Sequence, residues 1–139
     1  MTIDGLAVEI NDGARMLDAA ASAGIEIPTL CWMKDLNIIG SCRVCLVDLE
    51  GEGLVTACET PAREGMVVRT NSDMITAYRK EMLNLILANH NLDCMSCPAN
   101  GACRLQNLCN EYGIKHSPYE GFRTKIDQKI PVRSEEQHV

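Results

Sequence analysis

The chain has 139 residues, eight of them cysteine, with 46% hydrophobic residues and a formal net charge of −6. That length allows one compact domain with an appendage or two very small ones, and a single Trp and a single Phe leave an aliphatic core in need of covalent or metal support. Residues 1–93 carry 14 acids against 7 bases, which argues against a nucleic-acid-binding face, and no apolar run is long enough to span a membrane.

Met1-Thr2-Ile3-Asp4-Gly5 lacks the basic-then-apolar pattern of a signal peptide. The expected location is therefore the cytoplasm, where thiols stay reduced, so the cysteines are read as metal ligands rather than disulfides.

In chain order, Thr2-Ile3 and Leu6 to Ile10 flank Asp4-Gly5, a signal for a type I′ hairpin. Asn11 or Asp12 is the expected cap of a helix running to about Ala23, with Met16, Leu17, Ala20 and Ala21 as its apolar stripe. Gly24 suits the left-handed position after that helix, and Pro28 prevents its resumption. An irregular stretch from Pro28 to Ser41 holds Cys31. Strands are expected at Val44–Leu49 and Leu54–Cys58, joined by Glu50-Gly51-Glu52-Gly53, and at Met66–Arg69. This predicts a sheet of four or five strands with one helix on a face.

Ser72 is the expected cap of a helix from Asp73 to about Asn89. Ile75, Tyr78, Met82, Leu85 and Ile86 form its stripe, and Met74, Leu83 and Leu87 widen it enough to suggest covering on more than one side. A short helix from Arg104 to Tyr112 is stopped by Gly113, and residues 115–139 read as an extended tail or linker.

The cysteines fall into two sets. Cys31, Cys42, Cys45 and Cys58 follow C-x10-C-x2-C-x12-C. Two ligands separated by two residues can bind one site from a single turn, and main-chain N–H groups there can offset sulfur charge. A plant-type ferredoxin has C-x4-C-x2-C…C around a [2Fe–2S] cluster; the present set keeps the inner pair and the distant fourth Cys. Zinc is the competing reading, although zinc ribbons usually show two C-x2-C knuckles.

The second set is His90, Cys94, Cys97, Cys103 and Cys109, five soft donors for four places. An all-cysteine choice would use Cys109. Against it, six residues of helix at about 100° each would turn Cys109 roughly 240° from Cys103. His90 could alternatively serve only the helix dipole, or join three cysteines around zinc.

Both sets together resemble the region that opens the large iron–sulfur subunit of respiratory complex I, NAD-linked formate dehydrogenases and many iron-only hydrogenases. The resemblance covers roughly residues 1–114. It implies an α+β fold: a β-grasp, ferredoxin-like [2Fe–2S] domain over 1–70, a small helical domain over 71–114, and the tail. It implies Cys31, Cys42, Cys45 and Cys58 as [2Fe–2S] ligands. Through the motif H-x3-C-x2-C-x5-C it implies His90, Cys94, Cys97 and Cys103 as [4Fe–4S] ligands, leaving Cys109 as the alternative ligand.

The implied function is an electron-transfer subunit of a hetero-oligomer, relaying single electrons between a flavin subunit that handles NAD(P)H and a formate dehydrogenase- or hydrogenase-like redox subunit. A plant-type [2Fe–2S] potential of about −400 mV suits such chemistry. No catalytic residue is assigned: no Gly-rich phosphate loop and no nucleophile with its base is present. Two other readings stand beside this one, the N-terminal part of a longer catalytic chain and a zinc-stabilised interaction module.

Overall fold

Asp4 and Gly5 both take left-handed angles, φ 50° and 83°, as a type I′ turn requires. The computed structural model describes residues 1–34, 36 and 38–119. β1 (Thr2–Ile3) pairs antiparallel with β2 (Leu6–Ala7) across this turn. Asp4 also accepts hydrogen bonds from the Thr70 amide at 2.7 Å and the Thr70 hydroxyl at 2.5 Å, fastening the hairpin to the end of the last strand.

The other strands are β3 (Leu46–Leu49), β4 (Gly53–Thr56) and β5 (Val67–Arg69). Their order is β2-β1-β5-β3-β4, with β1 and β5 parallel and the remaining pairs antiparallel. The expected strands are all present but shorter: β2 stops at Ala7 rather than Ile10, β3 starts at Leu46 rather than Val44, β4 stops at Thr56 rather than Cys58, and β5 starts at Val67 rather than Met66. Val44 and Cys45 lie in a loop because Arg43 is left-handed, φ 54°. Cys58 lies in a turn, where the Glu59 and Thr60 amides both donate to the Thr56 carbonyl.

Period-two alternation puts Val47 and Leu49 on the face shared with Ile3 and Val68, and α1 (Met16–Ser22) covers it with Met16, Leu17, Ala19 and Ala20. Burying a side chain such as Met16 or Leu17 contributes about 1.5–3 kcal/mol. Ala21, expected in this stripe, is exposed. The expected Asn11 or Asp12 cap is also corrected: Arg15 is the N-cap. Gly13 at φ 74° breaks any earlier helix, and the first-turn amides find tertiary acceptors. Met16 N–H donates to the Thr60 carbonyl and Leu17 N–H to the Ala57 carbonyl, both at 3.0 Å. The start of α1 is thereby tied to the segment on either side of Cys58. At its other end, Gly24 N–H reaches the Ala21 carbonyl and Ile25 N–H the Ala20 carbonyl, a Schellman closure.

α2 (Asp73–Asn89) starts where expected, with the Ser72 hydroxyl accepting from the Ile75 amide at 3.2 Å. Its buried face is Ile75, Arg79, Leu83, Leu87 and Ala88. Met74, Tyr78 and Leu85, expected in its apolar surface, are exposed, while β3, α3 and the Ser117 segment pack against other parts of the helix. α3 (Arg104–Glu111) ends one residue before the expected Tyr112, and Gly113 at φ 68° closes it. Val44, Leu83 and Leu108 form a second small core joining the β3 loop, α2 and α3. Of the tail, residues 115–119 are described; the Ser117 hydroxyl donates to the Asn84 carbonyl at 2.8 Å, bringing the chain back along α2. The expectation for 120–139 lies outside the described residues.

Ser72→Ala removes one cap bond from the helix that supplies Leu83 to the second core. It is expected to lower unfolding free energy by about 1 kcal/mol, read from the denaturant midpoint; an unmoved midpoint shows that tertiary packing alone starts α2.

Candidate metal centres

The first cysteine set converges. Cys31 and Cys42 are half-buried, while Cys45 and Cys58 are each only 1% exposed. The side chains of Cys31 and Cys42 lie close enough to shift each other's acidity, and Cys45 lies close enough to Cys58 to raise its thiol. Cys31 also lies close enough to Cys58 to act on it electrostatically. The four are therefore one cage, drawn from the irregular loop, the Gly40–Cys45 turn and the turn after β4.

Their acidities show what this crowding does. Burial raises the Cys58 thiol, its hydrogen bond to Cys45 and the nearby Cys45, Cys31 and Glu59 charges add to the effect, and the result is about 12. Burial likewise pushes Cys42 up, with main-chain donors at Val44, Leu30 and Cys31 opposing it. At Cys31 burial also acts upward, but main-chain and side-chain hydrogen bonds from Cys42 and Ser41 outweigh it and the net shift is downward. Ionising all four sulfurs together is thus opposed until a cation enters the cage. N–H donors already aimed at the sulfurs offset part of the charge. This donor chemistry fits an iron–sulfur cluster.

Three neighbours were not among the sequence-derived candidates: Arg43, Thr56 and Glu59. A Cβ on Gly40 would run into the Glu59 carboxyl group. That carboxylate accepts from the Thr56 hydroxyl at 2.7 Å and faces the Arg43 guanidinium at 3.6 Å. The signals available in the sequence were the glycine before Cys42, the cation between Cys42 and Cys45, and the acid following Cys58.

The second set lines one cavity of about 370 Å³, to which His90, Cys94, Cys97, Cys103 and Cys109 all contribute. His90 is the extended C-cap of α2, with φ −84° and ψ 141°, and it is exposed, as is Cys97. Successive turns carry the loop round: Cys97 N–H to the Cys94 carbonyl at 3.3 Å, and Asn100 N–H to the Cys97 carbonyl at 3.0 Å. Gln106 clips the loop to α3, accepting from the Gly101 amide at 3.3 Å and donating to the Asn100 side chain at 3.1 Å.

Cys109 is buried, and burial followed by the nearby Cys103 raises its thiol. Cys109 is not turned away from Cys103 as six residues of continuous helix would turn it. Cys103 is the extended N-cap of α3, with φ −91° and ψ 117°, so the two sulfurs are not related by a helical angle and both face the cavity. Among the described residues, no three His, Cys, Asp or Glu side chains are set to hold a single metal ion. Donors to a cluster bind different iron atoms and stand further apart than donors to one ion.

Residues 1–73 match the family described as 2Fe-2S iron-sulfur cluster binding domain, and residues 79–118 match the NADH-ubiquinone oxidoreductase-G iron-sulfur binding region. The chain is 44% identical over 135 residues to the NADPH-Fe(3+) oxidoreductase subunit alpha of Geobacter sulfurreducens, covering 95% of this chain and 16% of that protein. With the NADP-reducing hydrogenase subunit HndD of Solidesulfovibrio fructosivorans it shares 42% over 127 residues, 87% of this chain and 22% of that one. It is 38% identical over 128 residues to the NADH-ubiquinone oxidoreductase 75 kDa subunit of Reclinomonas americana, covering 91% and 18%. Among solved structures it is similar to a chain of an NAD+-reducing [NiFe]-hydrogenase in the H2-reduced state, with a TM-score of 0.81, 34% identity, and coverage of 87% of this chain and 51% of that chain. The chain thus spans 16–22% of the length of these curated relatives.

Gly40→Ala adds a methyl group against the Glu59 carboxylate at a left-handed backbone position. Expected outcomes are reduced [2Fe–2S] loading, with visible absorption falling relative to the [4Fe–4S] signal, and an unchanged second cavity. Full loading of both would show that Glu59 swings aside freely.

Proposed function

The chain belongs to the 2Fe-2S iron-sulfur cluster binding domain family and carries the NADH-ubiquinone oxidoreductase-G iron-sulfur binding region after it, and from that membership we propose a two-station electron relay. The [2Fe–2S] cluster is held by Cys31, Cys42, Cys45 and Cys58, and the [4Fe–4S] cluster by His90, Cys94, Cys97 and Cys103. The observation that carries this reading is the pairing of one crowded thiol cage with one His–Cys cavity on a single α2-linked frame.

When bound, the clusters supply one-electron redox chemistry. The chain's own residues set its conditions. Burial of Cys45 and Cys58 keeps water from the inner side of the first site, and amides at Cys42 and Val44 donate to sulfur and favour the more negative, reduced state. At the second site the exposed His90 would replace a thiolate with a neutral donor, leaving that centre less negative than an all-cysteine site.

The partners are a flavin subunit that handles NAD(P)H on one side and a hydrogenase- or formate dehydrogenase-like redox subunit on the other, in a hetero-oligomer in the cytoplasm. The relatives' names support NAD(P)H-linked partners. Among the described residues no helix is long and apolar enough to cross a membrane.

Anoxically purified protein is expected to carry about six irons per chain, matching one cluster of each type, and to give two distinct paramagnetic signals on reduction. Colourless, zinc-loaded protein sinks the proposal. For the choice between His90 and Cys109, His90→Cys should keep a [4Fe–4S] spectrum at an altered potential, while Cys109→Ala should change little. Loss of that spectrum in Cys109→Ala, together with its survival in His90→Ala, reverses the assignment.

A further inference from the structure

Arg79 is the only charged side chain buried among the described residues, 5% exposed in the middle of α2. Its Nη2 donates to the Leu46 carbonyl at 2.6 Å and its Nη1 to the Tyr112 hydroxyl at 3.3 Å, while Nε is buried without a partner. The ion pair found among the described residues joins Arg43 to Glu59, so no described carboxylate pairs with Arg79. A carbonyl and a phenol accept hydrogen bonds but do not neutralise a guanidinium, and a buried, unmatched cation is strongly unfavourable.

Its placement supplies a counter-charge. Leu46 directly follows Cys45, and Tyr112 is the C-cap of α3, whose N-cap is Cys103. One turn along α2 from Arg79, Leu83 packs on Val44, which lies between Cys42 and Cys45, and on Leu108, which precedes Cys109. Arg79 therefore donates to the residue that follows Cys45, whereas His90 lies eleven residues further along α2, about 16 Å of helix away. Thiolate-ligated clusters are net negative and become one unit more so on reduction. The other carboxylates near Arg79 are those of Glu26 and Glu111, both exposed, in a cleft that also holds Lys80; solvent screens them.

We infer that Arg79 is a positioning residue whose counter-charge is the [2Fe–2S] cluster: it ties the strand after Cys45 to α3 and holds positive charge beside that centre, favouring its reduction. This rests on the two-cluster reading above.

The test is a redox titration of the iron-loaded full chain, followed by electron paramagnetic resonance, on wild type, Arg79→Lys and Arg79→Gln. The [2Fe–2S] midpoint potential is expected to move negative in Arg79→Gln while the [4Fe–4S] potential stays in place, and Arg79→Lys to recover part of the shift, since Lys restores charge but not the two-pronged bonding. An unmoved [2Fe–2S] potential in an iron-replete Arg79→Gln protein that has lost only thermal stability overturns the inference and leaves the cluster reading intact. Iron-free wild-type protein overturns both. A Glu26→Gln/Glu111→Gln double variant decides the matter where Arg79→Gln does not hold iron. Wild-type potentials and unfolding midpoint are expected, whereas a large fall in midpoint assigns the counter-charge to those carboxylates and overturns the inference.

Discussion

Sulfur charge confined in a small space is the constraint on which this structure turns. Cys45 and Cys58 are almost fully buried, and the Cys58 thiol is pushed up to about 12 by burial, its contact with Cys45 and neighbouring negative charge. The surrounding backbone answers that demand. Gly40 and Arg43 take left-handed angles, a conformation unfavourable for a non-glycine residue by about 1–2 kcal/mol, and the loop so formed aims amides at the Cys31 and Cys42 sulfurs. The start of α1 serves the same end from the opposite side. Its first amides bond to Ala57 and Thr60, and Arg15 Nη1 donates to the Glu59 carbonyl at 2.5 Å, so the Cys58 turn is fixed by a helix rather than left as a free loop.

The second site is built differently, and the difference bears on function. Its donors come from a helix end, a string of turns and a helix start, with His90 and Cys97 exposed. Greater solvent access and the neutral imidazole proposed as a ligand give it a different electrostatic setting from the buried first cage. Two stations in unlike environments suit a relay, because unequal potentials give electron flow a direction. The shared Val44–Leu83–Leu108 core and the Arg79 bonds to Leu46 and Tyr112 give these stations a common frame.

Local chemistry was legible in the sequence wherever a few adjacent residues decide it. Asp4-Gly5 dictates its hairpin, Ser72 its helix start, and Gly24 and Gly113 their helix ends. Each depends on backbone angles or a single side-chain bond within about four residues. Reading failed where distant segments compete. The start of α1 is decided by carbonyls at 57 and 60, more than forty residues away in the fold's other half. Hydrophobic periodicity placed Tyr78 and Leu85 inward, but the buried row includes the cation Arg79, which apolar pattern-matching cannot select.

By itself, then, the sequence determined the two cysteine sets, their order and the elements that carry them, because ligand spacing and turn residues are local properties. Only the tertiary structure decided that Cys31 meets Cys42 while Cys45 meets Cys58, and that Glu59 packs against Gly40. It also decided that Cys109 shares a cavity with His90, and that a buried guanidinium bonds the Leu46 carbonyl and the Tyr112 hydroxyl. The physical reason is common to all four. Burial and electrostatic proximity are properties of packed surfaces, and packing brings together residues whose separation along the chain says nothing of their distance in space.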